Sequence, residues 1–163
     1  MMHSKNESTL RQQLVRTMQS GESHLDFKSV VKDFPADKRA VKPHGAPHSA
    51  WQLVEHMRIA QWDILEFSRN PKHKSPKWPD EYWPSAAAPP DAGAWEKSVE
   101  SFEADAEAMA ALIQDASADL FAKIEGGDGQ TLLREACVVA AHNSYHLGQL
   151  EFLKKMLMAG QAR

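Results

Sequence analysis

Apolar residues recur along this chain at spacings of three and four, with polar positions between them, and no run alternates with period two. That pattern predicts helices and no sheet. Leu10, Leu14 and Met18 mark a first helix that Gly21 can end. Phe27, Val30, Val31 and Phe34 predict a short helix stopped at Pro35, and residues 35–48, with Pro43, Gly45 and Pro47, read as a connection. A second long helix has a clear start, because Ser49 can cap it and Gln52 stands three residues later, as a capping box requires. Its stripe runs Leu53, His56, Ala60, Ile64, Phe67, and Asn70-Pro71 ends it. A third helix follows Pro89-Pro90, with Asp91 as N-cap and a heptad-like seam of Trp95, Val99, Phe102, Ala106, Met109 and Ile113. Beyond a loop containing Gly126-Gly127-Asp128-Gly129, a fourth helix extends from about Thr131 to about Met158. Its stripe is Val138, His142, His146, Leu150, Leu153, Leu157. The expected fold is all-α: a four-helix bundle in a single domain, residues 1–163, with one long crossover between the second and third main helices.

That crossover, residues 71–90, holds six of the nine prolines together with Trp78, Tyr82 and Trp83. A connection this long without regular structure is often functional. Two outcomes are open: an aromatic-pinned clasp remote from any site, or a loop that also borders one.

The histidines carry the chemistry. His142 and His146 are four residues apart, so on a helix they share a face. Both take positions where the stripe calls for an apolar residue, and so does His56. Three inward imidazoles would each cost roughly 1–3 kcal/mol unless paired with each other, with water or with a metal; a lone one is more often a hydrogen-bonded core residue, whereas one cation satisfies all three at once. Three protein ligands leave a coordination position open, the arrangement of a catalytic site. Other metal signatures are absent: there is no His-Glu-x-x-His, no Glu-x-x-His and no Cys-x-x-Cys. Imidazole suits zinc, nickel, copper or iron(II) alike. The remaining histidines are expected elsewhere: His3 near a frayed end, His24 on the surface or at a cap, and His44, His48 and His73 solvated. Cys137 is expected as a small core residue, Tyr145 at a helix–helix interface, and Gly148 where helices approach closely. Asn143 and Gln149 are candidates to orient the ligands.

Composition narrows the function class. With 163 residues, 42% hydrophobic and 25% charged, the chain suits one soluble domain with a real core. The formal net charge of −3 and the lack of a basic block leave no nucleic-acid footprint. No stretch approaches the ~20 apolar residues of a membrane span, and the polar start is unlike a signal peptide. One cysteine cannot form an internal disulfide, which suits the cytoplasm.

The segments Trp51-Gln-Leu-Val-Glu-His56 and His142-Asn-Ser-Tyr-His146-Leu-Gly-Gln-Leu resemble the DinB-like superfamily, also described as DinB/YfiT-like metalloenzymes. Trp78-Pro-Asp-Glu-Tyr-Trp-Pro84 and Gly129-Gln-Thr131 are similar to one branch of it. The resemblance implies an up-down-down-up four-helix bundle, often dimeric. It also implies one divalent ion, commonly zinc or nickel, on three histidines, which fall here on His56, His142 and His146. It further implies reactions such as low-molecular-weight thiol S-transfer or mycothiol-dependent isomerisation. The function expected first is therefore metal-dependent transfer of a low-molecular-weight thiol to a small-molecule electrophile, in a homodimer. Metal-assisted hydrolysis comes next, and a non-catalytic metal- or small-ligand-binding bundle acting in a stress response is the alternative from another class.

Overall fold

A computed structural model describes residues 2–19 and 23–159, with side chains from residue 5 onward. The described residues are helical, with no strand and one isolated bridge between Lys123 and Thr131. The helices are α1 (Met2–Gln19), α2 (Phe27–Val31), α3 (Ala50–Arg69), α4 (Ala94–Gln114) and α5 (Leu132–Ala159), with a 3-10 turn at Ala36–Lys38 inside the 35–48 connection. Gly21 and the side chain of His3 lie outside the described residues.

The start of α3 forms as its sequence dictates. Ser49 Oγ accepts from Gln52 N–H at 3.2 Å, and Gln52 Oε1 accepts from Ser49 N–H at 3.1 Å, satisfying two end donors reciprocally. The start of α4 differs from expectation. Asp91 is not the cap; its carboxylate accepts from Gly93 N–H at 2.8 Å in a turn ahead of the helix, and Gly93 caps without a side chain. An aspartate satisfied two residues on closes a turn rather than a helix end. At the other end of α4, the buried Arg11 donates to the carbonyls of Ile113, Asp115 and Ala118 at 2.6, 2.9 and 2.6 Å. A cation there meets the negative end of the helix dipole and fills orphan acceptors.

Both α1 and α3 pack against α4 and α5. Two apolar clusters result. One gathers Phe27, Val30, Phe34, Trp51, Leu53, Met57, Trp95, Phe102, Leu150 and Leu153. The other gathers Val15, Leu65, Met109, Ile113, Leu120, Leu132, Ala136 and Val139. Along α3 and α5 the buried polar residues Gln61, Asn143 and His146 fall between the two sets, and His56 lies at the near edge of the first, beside Met57. A polar layer thus interrupts the core, and buried polar groups persist only where they find partners.

Three expectations on α5 fail for one reason. Cys137 is exposed, Tyr145 is 65% exposed, and a Cβ at Gly148 would meet nothing within 4 Å. The inward face runs through Ala136, Val139, Asn143, His146, Leu147 and Leu150, so positions one or two residues off it turn to solvent. Val139 rather than Val138 takes the buried place. Trp51 and Trp95 are core residues, Trp62 and Trp83 make ring contacts inside the chain, and only Trp78 is largely exposed. Among the described residues no helix is long and apolar enough to cross a membrane.

Candidate metal centre

The packing of α3 on α5 brings the three histidines together. His56 Nε2 lies 3.2 Å from His146 Nε2 and 3.1 Å from His142 Nε2. His56 and His146 are buried and His142 is half-buried. The other nitrogen of each ring faces an acceptor. His56 Nδ1–H donates to the Tyr82 carbonyl at 3.0 Å, and His146 Nδ1–H donates to Gln149 Oε1 at 2.9 Å. His142 Nδ1–H faces Asn143 Oδ1 at a longer 3.4 Å, while Asn143 Nδ2 donates to Gln61 Oε1 at 2.8 Å.

These partners decide the tautomers. A carbonyl oxygen only accepts, so Nδ1 carries the proton and Nε2 of a neutral ring is a bare lone pair. Three such lone pairs then point at one another with no proton to share. That arrangement repels itself unless a cation lies among them. The spacing suits one: nitrogen ligands at about 2.0–2.1 Å from a tetrahedral zinc stand roughly 3.3 Å apart. His56, His142 and His146 can therefore hold a divalent ion. Burial keeps the rings neutral, as ligation requires. Desolvation pulls His56 and His142 down to about 4 from the ordinary 6.5, with repulsion from His146 adding to it at both. His146 is lowered too, chiefly by burial.

The proline-rich crossover borders this site. The Trp83 indole lies flat on the His56 imidazole, with centroids 3.7 Å apart and planes 6° apart, and the His48 ring stacks on its other face at 3.9 Å. The clasp and the site-lining loop are one structure. Asp63 holds it at two points, its Oδ1 meeting His73 Nε2 at 2.8 Å and its Oδ2 accepting from Tyr82 O–H at 2.5 Å, while Gln52 Nε2 and Ser49 Oγ donate to the carbonyls of Pro84 and Ala87 at 3.0 and 2.6 Å. Trp62 closes over His73 edge-on. Burial and the Asp63 carboxylate push the Tyr82 phenol above its ordinary range, so it stays a donor. Tyr82 thus ties α3 to the crossover by its hydroxyl and orients His56 by its carbonyl.

His73 is accordingly not solvated; its side chain is 7% exposed against Asp63. Neither is His48, which is half-buried in the stack. His44 is exposed, and His24 is a surface residue donating Nδ1–H to its neighbour's carbonyl at 2.8 Å. Gln149 takes the orienting role expected of it, and Asn143 takes it weakly. Asp63 was not legible as a site residue, and Tyr82 was legible only as one of the crossover's aromatics. The signal for Asp63 is that it is an acid on a face otherwise apolar, seven residues after His56 and so two turns along the same side.

Neither curated proteins nor solved structures give a match to this chain. A family model does, across residues 22–150, and it describes the DinB superfamily. A match over most of the chain, spanning all three clustered histidines, means that this protein belongs to the DinB superfamily.

Proposed function

We propose that this protein is a metal-dependent enzyme that transfers a low-molecular-weight thiol to a small-molecule electrophile. The observation that carries the proposal is the convergence of three proton-free Nε2 atoms from His56, His142 and His146, each ring steered by an acceptor on its Nδ1. A divalent ion there, zinc or nickel first, supplies a Lewis acid that lowers the pKa of a neighbouring thiol or water.

The chain's own residues do the positioning. Tyr82 and Gln149 lock two rings, and Trp83 covers one face of His56 and excludes water from it. His142, half-buried, leaves the approach on its side. Cys137 is exposed and is not among the clustered residues, so the thiol is a co-substrate rather than part of the chain. The transfer balances as RS–H plus C–X giving RS–C plus H–X: sulfur forms the new bond to carbon, X leaves with the electron pair, and the thiol proton ends on X.

The fold we propose is an up-down-down-up four-helix bundle forming one domain. Supporting it, Arg11 reaches residues 113–118 while Gln19 Nε2 donates to Ala106 O, so α1 opposes α4. Trp51 shares a cluster with Trp95, and Leu65 shares the other with Ile113, so α3 and α4 run alike. The test is elemental analysis of untagged protein, followed by a screen of thiols against electrophiles. Thiol consumption that requires the ion is the expected result. Retained metal with no thiol consumed across the screen contradicts the transferase reading.

A further inference from the structure

One cleft is tied to this site without being part of it. It has a volume of about 320 Å³ and lies between the 44–48 turn and the C-terminal half of α5. That is within the roughly 300–1,000 Å³ of small-molecule sites. Pro47, His48 and Leu53 form one side, and Gln149, Phe152 and Met156 the other. Leu53 and Leu153 behind it are core residues, and Ala46 N–H donates to Pro43 O at 2.9 Å in the turn, so the cleft is preformed.

Two of its residues reach the histidine cluster. Gln149 is the acceptor for His146 Nδ1–H, and His48 stacks on Trp83, which stacks on His56. Apart from His44, the rest of the wall is apolar or glycine, and Phe152 and Met156 are 66% and 39% exposed. Among the described residues no Asp, Glu, Lys or Arg lines it. A carboxylate or ammonium entering there would give up its hydration with no counter-charge, whereas an aryl or branched-alkyl group would gain by burial.

We propose that this cleft binds the uncharged, apolar reactant, a small neutral molecule carrying an aryl or branched-alkyl group. Its apolar part lies on Leu53, Phe152 and Met156, and its polar end faces His48 and Gln149. A thiol bearing carboxylates binds elsewhere. The assignment of this ligand as a reactant rests on the function proposed above; the binding itself does not.

The experiment separates the two. Neutral N-phenyl-1-naphthylamine is titrated by fluorescence into metal-depleted and zinc-loaded protein, and into Phe152→Glu, Met156→Glu and Phe121→Glu. Phe152 and Met156 are exposed, so a charge there spares the core, and Phe121, 62% exposed and outside the cleft, controls for non-specific adsorption. Saturable one-to-one binding is expected in both metal states, weakened at least about tenfold by each cleft variant and unchanged by Phe121→Glu. No zinc uptake with probe binding intact would overturn the metal reading alone. Zinc uptake with no saturable probe binding, or with binding that survives both cleft variants, would overturn this inference alone. Probe release as protein concentration rises, with light scattering showing a dimer that Phe152→Glu dissociates, would assign the cleft to a second copy and likewise overturn it.

Discussion

The indole of Trp83 and the imidazole of His56 are stacked face to face at 3.7 Å, although one comes from a proline-rich connection and the other from the core face of a helix. Titration of metal-free protein with nickel(II) is therefore expected to quench tryptophan fluorescence. Trp83→Phe keeps a ring on His56 and should remove most of the quench while the other four of the five tryptophans still emit. Quenching that persists in full in Trp83→Phe would place the ion away from His56. Trp83→Ala should cost about 2 kcal/mol in urea unfolding, less than the ~3–5 of a fully buried ring.

Asp63 acts on the site at one remove, through Tyr82 and its carbonyl. Asp63→Asn and Tyr82→Phe each loosen that link while preserving shape. Each is expected to weaken zinc affinity about tenfold, the low end of the ~10–100-fold range for such orienting partners. Competition against a chromophoric chelator measures it. An unchanged affinity in both variants would reduce Asp63 to a loop anchor.

Acid should destabilise the metal-free protein through the same histidines. His56 and His142 have folded-state values of about 4 against the ordinary 6.5, so between those limits the unfolded chain binds more protons. Their contribution is fully present above pH 6.5 and is lost as pH falls through about 4. Each unit of depression corresponds to about 1.4 kcal/mol, and His142, being partly exposed, contributes less than His56. Urea midpoints across this window should fall more steeply for the wild type than for His56→Gln, His142→Gln. Parallel curves would show that these rings are not neutralised by burial.

The sequence made legible what depends on spacing along one helix. The Ser49–Gln52 box, the inward placement of His56 and His146 and the His146–Gln149 contact all lie within one or two turns and formed as their spacing requires. Fold class follows from the same periodicity. What it hid depends on the path of an irregular chain. Nothing in the composition of residues 71–90 says that Trp83 turns inward while Trp78 stays 67% exposed, or that His73 folds back onto Asp63. Cys137 and Tyr145 were misplaced because a step of one residue turns a side chain about 100° around the helix, finer than an apolar stripe resolves.

The most direct test of the histidine cluster is metal stoichiometry. Untagged protein, dialysed and analysed by inductively coupled plasma mass spectrometry, should carry about one divalent ion per chain, since three convergent imidazoles make one site. His142→Ala should lose most of it, and the double variant His56→Ala, His146→Ala essentially all. Full retention of metal in that double variant would contradict the account.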